Sequence, residues 1–380
     1  MWISNLQLVL PDRVVMRGSL RVEGGLIAAI AEGDAHEALD GRGLTAIPGI
    51  VDMHGDMLER ELQPRPGSRF PFELALYELD KRLASNGITT AYASISFIEG
   101  WGSRDPREGM EIVENIHRYR QGLLVDTRVH ARFEVTTPSS AQILREAVVK
   151  DEIHLVSLMD HSPGQGQFRD LEQYVSYYTK WMGAGSEAEP GIREKALRLL
   201  EAPPAWHIAQ EVAQVCLERQ VPLASHDDDT AEKVGMMAGL GTTISEFPVD
   251  MEAAEEARRR GIWVVMGAPN AFRGSSHSGN LSAVEGIRAG VVDGLAADYH
   301  PASLVQSAFK LAREGLLPLH SAVKLVSQNI AAMCGLTDRG RLEVGLRADF
   351  VLVEEGECPR VRATFSGGRS IYSDGTLQTR

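Results

Sequence analysis

The sequence predicts an α/β fold: a (β/α)8 barrel of the TIM type over residues 48–341, and a small β-sandwich built jointly by residues 1–47 and 342–380. Between the two ends of the chain, apolar strand-like runs alternate with amphipathic helical stretches. Both ends instead carry short β-branched runs separated by Pro, Gly and Asp. Polar side chains follow several of the central runs and indicate a site at one end of the barrel.

The terminal segments have a sequence pattern that is typical of antiparallel strands. The first 47 residues contain LQLVL, RVVM, SLRVEG and LIAAIAE, and the last 39 contain RADFVLVEE, PRVRATFSGG and RSIYSDG. Turn-forming residues separate these runs, as in a β meander. Because the segments flank a long middle region, we expect them to form one domain together.

The middle region contains eight candidate strands, which is the number that closes a parallel barrel. In chain order they are AIPGIVDMH, ITTAYASIS, TRVHARFEV, IHLVSLMDH, VPLASH, TTISEFP, IWVVMGAP and GLAADY. Helical patterns such as FELALYELDKRLASNG and DMEAAEEARRRG lie between them, and Gly261 ends the latter as a C-cap. In such barrels, catalytic groups sit where the strands end.

Composition limits the class of protein. The net charge of −13 over 380 residues argues against nucleic-acid binding, which needs a basic surface. No apolar run reaches the roughly 20 residues that cross a bilayer, and the start lacks a basic leader, so we expect a cytoplasmic protein without membrane attachment. Three scattered cysteines indicate reduced thiols rather than a disulfide framework.

Six potential metal ligands follow strand-like runs. Residues i and i+2 of a strand face the same side, so a histidine and an aspartate after the first strand point together toward the barrel mouth. Four more such side chains end the third, fourth, fifth and eighth runs. The set is His54, Asp56, Glu134, His161, His226 and Asp298.

Four of these residues also have an ordinary structural interpretation. Glu134 could pair with Arg132 on the same strand face, and His161 and His226 could be hydrogen-bonded core histidines. Asp298 could cap the helix that begins near Pro301. The coincidence of all six at strand ends favours metal binding. A single catalytic ion commonly uses three protein ligands, so this set predicts two divalent ions, Zn, Mn or Fe, bridged by Glu134.

The sequence resembles the amidohydrolase superfamily and, within it, the diphosphatases of phosphonate metabolism. The resemblance is carried by PGIVDMHGDMLERELQPRPG, HARFEV, VSLMDHSPGQGQF, ASHDDDT, ISEFPV, MGAPNAFRGSSHSGNLSA, LAADYHPASL and GLTDRGRLEVGLRADFVLV, from about residue 47 to the C-terminal region. It implies a hydrolase acting on phosphoric anhydride bonds. The expected reaction releases pyrophosphate from α-D-ribose 1-methylphosphonate 5-triphosphate and leaves the 5-phosphate, a step of phosphonate catabolism.

The ligand set and the resemblance together suggest a mechanism with roles for the site residues. One ion would be held by His54, Asp56 and Asp298, and the other by His161 and His226, with Glu134 between them. Asp298 would accept the proton of the attacking water, as the superfamily assigns to the aspartate of the last strand. His277, or solvent, would protonate the leaving pyrophosphate.

A polyanionic substrate needs local cations and backbone donors in an acidic protein. The glycine-rich loop after the seventh strand offers Asn270, Arg273, Ser276 and His277, although it could equally be a flexible surface loop. Arg65, between two prolines, could be an anion clamp or part of a solvated turn.

The segment 164–191 could form a lid with Lys180 as a phosphate ligand, while its tyrosines favour ordinary packing. Asp228 could orient a metal ligand or cap a helix together with Asp227 and Asp229, and we favour capping.

Two other functions are compatible with the sequence. The protein could hydrolyse an amide or cyclic ureide bond, or it could be an inactive barrel reused for binding. Retention of all six ligands argues against the inactive form. The expected partners are a phosphorylated small molecule, a second copy in a homodimer and other phosphonate-pathway proteins.

Overall fold

The computed structural model describes residues 1–65, 67–98, 105–168, 170–181, 186–201, 204–276 and 279–377. Eight of its strands belong to a parallel sheet: β6 Ile50–Gly55, β7 Ile88–Phe97, β8 Asp126–Glu134, β9 Leu155–Met159, β10 Leu223–His226, β11 Ile244–Glu246, β12 Trp263–Gly267 and β13 Gly294–Ala296. The other strands are β1 Trp2–Val9, β2 Val14–Glu23, β3 Leu26–Glu32, β4 Leu39–Asp40, β5 Thr45–Pro48, β14 Phe350–Glu354, β15 Arg360–Ser366 and β16 Arg369–Ser373.

Helices connect most of the barrel strands. They are α1 Met57–Leu62, α2 Phe72–Ser85, α3 Pro106–Tyr119, α4 Ala141–Val149, α5 Leu171–Trp181, α6 Glu189–Glu201, α7 Trp206–Glu218, α8 Ala231–Gly239, α9 Met251–Arg259, α10 Ala268–Arg273, α11 Ala283–Arg288, α12 Ala302–Arg313, α13 Leu319–Lys324 and α14 Gln328–Met333. Among the described helices, none combines the length and the apolar character that crossing a bilayer requires.

The parallel strands follow one another in chain order around a nearly closed barrel. Each strand from β6 to β13 pairs with the next one. The first and last strands meet through two backbone bonds: Asp56 N–H donates to the carbonyl of Asp298 at 2.9 Å, and Asp298 N–H donates to that of His54 at 2.9 Å. The eight predicted strands are therefore confirmed, and the closing bonds lie beside three of the predicted ligands.

The chain termini share a second sheet. Its strand order is β16-β15-β14-β5-β1-β2-β3, with β4 also paired to β1, so the C-terminal strands join the N-terminal ones through the antiparallel pairing of β14 with β5. A separate apolar cluster that includes Ile3, Leu20 and Phe350 supports this sheet. The predicted joint domain of the two termini is thus present as one mixed sheet. Its division into two sandwiched layers, and the boundaries at residues 47 and 342, stay predictions.

The barrel is packed on both faces of its strands. Side chains such as Val51, Tyr92 and Val265 fill its interior, and a much larger cluster lies between the strands and the surrounding helices. The interior is therefore a core rather than a channel. Polar groups can be presented only where the strands end.

Helices α5 and α6 pack on each other beside the mouth. They have their own apolar cluster, which includes Phe168, Tyr174, Tyr178 and Ile192. Tyr174 and Tyr178 are buried in it, so the prediction that these tyrosines pack is confirmed. The Phe168 ring also contacts the imidazole of His161, with 6.3 Å between ring centroids.

Candidate metal centre

Three histidines from different strands meet at the carboxyl end of the barrel. His54 lies in β6, His226 ends β10, and His161 follows β9 by two residues. The rings of His54 and His226 stack with 5.5 Å between centroids, and His161 meets His226 edge-on at 5.6 Å. Residues separated by more than 100 positions in sequence are therefore neighbours, as the strand-end argument predicts.

Each imidazole faces a carboxylate through its Nδ1 atom. His54 Nδ1 lies 3.3 Å from Glu246 Oε1, and His226 Nδ1 lies 3.2 Å from Glu246 Oε2. His161 Nδ1 lies 2.7 Å from Glu134 Oε2. A carboxylate accepts hydrogen bonds, so these contacts place a proton on each Nδ1 and leave Nε2 as the atom that could bind a metal. Metal-binding histidines are commonly oriented in this way.

The Nε2 atoms face two aspartates. Asp56 Oδ1 lies 3.6 Å from His54 Nε2. Asp227 Oδ2 lies 3.6 Å from His226 Nε2 and 3.8 Å from His161 Nε2. Asp227 Oδ2 is also buried and has no hydrogen-bond partner among the described residues. A buried carboxylate oxygen beside two imidazole lone pairs is a donor set that suits a divalent cation.

Three groups of side chains could each hold an ion. Within every group the ligand atoms lie within 4.8 Å of one another. The groups are His54 with Asp56 and Asp298, His161 with His226 and Asp227, and His54 with His226 and Glu246. Five of the six predicted ligands occur in these groups.

Glu134 has a different position. Its Oε1 accepts from the backbone N–H of His161 at 3.3 Å and from the hydroxyl of Thr136 at 3.1 Å. Its Oε2 faces His161 Nδ1, and Glu134 is in none of the three groups found among the described residues. The structure thus places Glu134 as a hydrogen-bond partner of a candidate ligand. Its bridging role stays a prediction.

Arg132 brings a buried cation into the centre. Its Nη1 donates to both carboxylate oxygens of Asp56 at 3.1 Å, and its Nη2 lies 3.3 Å from His226 Nε2. The side chain shares a face of β8 with Glu134, two residues away. A guanidinium in this position can bind an anionic group of a substrate as well as Asp56.

Burial perturbs the acids of the centre. It raises the pKa of Asp298 to about 6, and the neighbouring charge of Asp56 acts in the same direction. Burial likewise raises the pKa of Asp52 to about 7. Burial opposes protonation of His54, but the carboxylates of Glu246 and Asp56 outweigh it and raise the pKa of His54 to about 10. The mouth therefore contains acids whose proton affinity lies near neutrality, which suits proton transfer.

Glu246 and Asp227 are the residues that the sequence analysis missed. Glu246 ends β11 and is fully buried, so the strand-end rule applied to TTISEFP would have found it. Asp227 follows β10 with a positive φ of 53°, which turns its side chain away from the regular strand direction.

Asp228 does not cap a helix. Its carboxylate accepts from the hydroxyls of Ser225 at 2.5 Å and Ser245 at 2.6 Å, while Thr230 is the N-cap of α8 and accepts from Lys233 N–H at 3.1 Å. The capping interpretation is therefore wrong. The hydroxyl groups of two adjacent strands compete for Asp228, and a threonine closer to the helix takes the cap.

The segment predicted as a substrate-binding loop after the seventh strand begins as helix α10, which contains Asn270 and Arg273. Asn270 fixes both ends of the loop, because its Nδ2 donates to the carbonyl of Leu281 at 2.9 Å and its Oδ1 accepts from Ala283 N–H at 3.0 Å. Arg273 is exposed and donates to the Tyr299 hydroxyl at 3.2 Å. Ser276 is half-buried, and His277 lies outside the described residues.

The two remaining predicted cations lie at the surface. Arg65 is exposed beside a bridge to Ser68, and Lys180 is exposed in the last turn of α5. Within the part of the chain that the structure describes, neither side chain has a hydrogen bond or ion pair to the histidine cluster. Their roles in substrate binding stay predictions.

Comparison with known proteins agrees with this architecture. Residues 230–372 match the model of the amidohydrolase family. The α-D-ribose 1-methylphosphonate 5-triphosphate diphosphatase of Escherichia coli (strain K12) is 37% identical over 367 residues, which cover 93% of this chain and 94% of that protein.

Solved structures share the fold at low identity. The β-aspartyl dipeptidase of Fervidobacterium islandicum AW-1 superposes with a TM-score of 0.66 at 14% identity, covering 100% of this chain and 98% of that one. The N-isopropylammelide isopropylaminohydrolase of Burkholderia multivorans gives 0.62 at 18% identity, covering 99% of both chains. The full-length likeness to the diphosphatase, together with the barrel and its cluster of candidate ligands, shows that this chain is an enzyme, a hydrolase that belongs to the amidohydrolase family.

Proposed function

We propose that this protein is a metal-dependent diphosphatase that releases pyrophosphate from α-D-ribose 1-methylphosphonate 5-triphosphate and leaves the 5-phosphate, in phosphonate catabolism. The observation that carries the proposal is the 37% identity to a diphosphatase of that name over nearly the whole of both chains. The acids and cations of the barrel mouth are chemically suited to a phosphoric anhydride substrate.

Two divalent ions, Zn, Mn or Fe, would occupy the centre. His54, Asp56 and Asp298 would hold one ion, and His161, His226 and Asp227 the other. When bound, such a pair lowers the pKa of water and neutralises charge on phosphoryl oxygens. Glu246 would keep the Nε2 lone pairs of His54 and His226 aimed at the ions, because it accepts from both Nδ1 atoms.

Asp298 is the proposed proton acceptor. Its raised pKa, about 6, allows the carboxylate to take a proton from the attacking water and to release it near neutral pH. Its backbone is fixed by the bonds that close the barrel, so the carboxyl group stays beside His54 and Asp56. This preorganisation reduces the reorganisation needed for proton transfer.

Arg132 and the loop after β12 would bind the polyanion. The Arg132 guanidinium lies between Asp56 and His226, where it can also meet a phosphoryl oxygen. Asn270 ties helix α10, which ends at Arg273, to the backbone of Leu281 and Ala283, and Ser276 and His277 lie between these points in the sequence. We propose His277 as proton donor to the leaving pyrophosphate, and Arg65 and Lys180 as outer phosphate ligands.

The direct test is product analysis. Purified protein loaded with Zn²⁺, Mn²⁺ or Fe²⁺ is incubated with the ribose triphosphate and, in parallel, with cyclic amides. Pyrophosphate from the triphosphate, lost on chelation and regained with metal, supports the proposal. Turnover of a cyclic amide without pyrophosphate release would instead assign the amide or ureide chemistry.

The Arg273 variant tests substrate binding separately from chemistry. Arg273→Ala removes an exposed cation without touching the histidine cluster, so we expect KM for the triphosphate to rise while kcat stays near the wild-type value. Steady-state pyrophosphate release gives both constants. A fall in kcat at unaltered KM would contradict the assigned role.

The wider setting follows from the same proposal. The enzyme would work in the cytoplasm, as a homodimer, alongside the other phosphonate-pathway proteins. The terminal segments 1–47 and 342–380 would form a β-sandwich domain, and residues 48–341 the catalytic barrel.

A further inference from the structure

A chain of hydrogen bonds runs through the barrel interior next to the candidate metal centre. It passes through three buried side chains on adjacent strands: Ser94 in β7, His130 in β8 and Ser157 in β9. The chain ends on Glu246, the carboxylate that accepts from the Nδ1 atoms of two candidate metal-binding histidines. The residues of this chain therefore contact the group that orients the predicted ligands.

The protons of this chain can be placed by starting at the carboxylate. Ionised Glu246 can only accept, so the Ser157 hydroxyl donates its one proton to Glu246 Oε2 across 2.7 Å. Ser157 Oγ can then only accept from the contacting Nε2 atom of His130, which must carry a proton. Burial disfavours a charged ring, so His130 Nδ1 keeps its lone pair and accepts from the Ser94 hydroxyl at 3.2 Å. The backbone N–H of Gly55 in turn donates to Ser94 Oγ at 3.2 Å. Every donor of the chain therefore points toward Glu246.

A competing acceptor makes this direction informative. The carbonyl oxygen of Met53 lies 3.1 Å from His130 Nδ1, so the ring could instead hold its proton on Nδ1 and donate it there. His130 Nε2 would then take the proton of Ser157, and Glu246 Oε2 would lose that donor. The charge of the carboxylate favours the first arrangement, because a hydrogen bond to an ionised acceptor is stronger than one to a neutral acceptor.

The chain also begins beside the centre. Gly55 lies between the candidate ligands His54 and Asp56, and the pairing of β6 with β7 shifts register between Asp52 and Gly55. A side-chain hydroxyl of β7 thus meets an irregular stretch of β6. One end of the chain fixes the backbone next to His54, and the other end fixes the carboxylate that faces the imidazole of His54.

We propose that Ser94, His130 and Ser157 are positioning residues that hold the Glu246 carboxylate in the orientation in which each of its oxygens accepts from one metal-facing imidazole. The inference rests on the proposed function only in taking those histidines as ligands of divalent ions. A carboxylate fixed in this way orders the two rings before an ion binds, so less conformational freedom is lost on binding.

The first experiment records ¹⁵N NMR spectra of the imidazoles in the metal-free protein and is independent of turnover. In the wild type, His130 has its proton on Nε2, whereas the two histidines bonded to Glu246 have theirs on Nδ1. Ser157→Ala removes the acceptor of the Nε2 proton, so His130 changes to the Nδ1–H form that donates to Met53. A residue that only fills space would not change the tautomer of its neighbour.

The second experiment measures the affinity for Zn²⁺ by competition with a chelator. Ser157→Ala and His130→Leu break the chain that holds Glu246, so the affinity falls about tenfold or more. His130→Gln keeps an N–H donor near the position of Nε2 and restores most of the affinity. Ser307→Ala is the matched control. It removes a fully buried hydroxyl that donates to the carbonyl of Ala268 at 2.9 Å, and it alters neither the zinc affinity nor the tautomers.

Two results would overturn the inference. One is a wild-type spectrum in which His130 Nε2 carries no proton, because the donors would then not point toward Glu246. The other is a zinc affinity in Ser157→Ala equal to that in Ser307→Ala, because the chain would then contribute nothing to the centre. If the metal-loaded wild type releases no pyrophosphate, the proposed function fails, and the spectra of the metal-free protein still decide the direction of the chain.

Discussion

At the amino end of the barrel strands, the carboxylate of Asp126 accepts hydrogen bonds from three guanidinium groups: Arg120 at 2.9 Å, Arg128 at 3.2 Å and Arg339 at 2.8 Å. At the carboxyl end, the buried oxygens Asp52 Oδ2, Asp160 Oδ2, Asp227 Oδ2 and Asp228 Oδ1 have no hydrogen-bond partner among the residues that the structure describes.

The half-buried Asp126 at the amino end is neutralised by three arginines, whereas these four buried oxygens at the carboxyl end have no such partner among the described residues. Although burial opposes it, the arginines hold the pKa of Asp126 below its ordinary range, whereas burial raises the pKa values of Asp52 and Asp298. A compensated cluster stabilises the fold, and an uncompensated one is suited to binding cations and moving protons. The amino end of the barrel therefore contributes mainly to stability, and the carboxyl end mainly to the chemistry.

The largest expected effect is on activity, from a change at the mouth. His161→Asn removes an Nε2 lone pair that faces Asp227, so we expect loss of one ion and no detectable pyrophosphate release. Elemental analysis and the release assay measure the two effects. Wild-type turnover in the variant would show that His161 is not a metal ligand.

A change at the amino end should affect stability instead. Arg339→Ala leaves the half-buried Asp126 with one cation fewer and also removes the bonds to Asp338, so the free energy of unfolding should fall by about 3 kcal/mol. Urea unfolding measures it, with the exposed Arg341→Ala as the matched control. Activity below the unfolding transition should be retained, and a loss of kcat in the folded variant would contradict the separation of the two ends.

Glu246→Gln tests the carboxylate shared by two histidines. Glutamine offers only one acceptor oxygen, so one of the two Nδ1–H groups loses its acceptor and metal affinity should fall about 10-fold to 100-fold. Competition with a chelator of known affinity gives the value. ¹⁵N NMR of the imidazoles should show a changed tautomer in His54 or His226. Unaltered affinity would leave Glu246 as a core residue only.

The effect that appears only at acid pH is the sensitivity of the amino end. Burial, with the charges of Arg120 and Arg128, lowers the pKa of His154 to about 3, against about 6.5 in an unfolded chain. This stabilisation is complete above about pH 6.5 and is lost as the pH falls toward 3, because the unfolded chain then binds one more proton.

The slope from this one group is at most about 1.4 kcal/mol per pH unit. Urea unfolding of the metal-free protein between pH 7 and pH 4 should show it, and His154→Gln should flatten it relative to the exposed control His207→Gln. An equally steep loss in both variants would show that His154 is not the source.

The barrel was predictable because the spacing of apolar residues in the sequence indicates which side chains are buried. All eight predicted runs are strands, and five predicted ligands meet as expected, since parallel strands bring their carboxyl ends together. Two runs mix elements: IWVVMGAP ends inside α10, which begins at Ala268, and AIPGIVDMH contributes Pro48 to the terminal sheet and Ile50 to the barrel. Gly49 between them allows the close approach, because a Cβ there would lie 2.3 Å from Thr89 Oγ1.

The partners of each ligand were not predictable from strand ends. Whether Glu134 or Asp227 faces the Nε2 atoms depends on backbone turns such as the positive φ of Asp227, which no periodicity reveals. Arg132 likewise reaches Asp56 across the mouth, although Glu134 is its neighbour on the strand. Which group each of these side chains contacts depends on residues that are distant in sequence and close in the folded structure.

Anomalous diffraction from metal-loaded crystals tests the central claim most directly. The account predicts two ions at the carboxyl end of the barrel, with the Nε2 atoms of His54, His161 and His226 as ligands and every Nδ1 still bonded to Glu246 or Glu134. Ions bound through Nδ1, or anomalous peaks remote from these histidines, would contradict it.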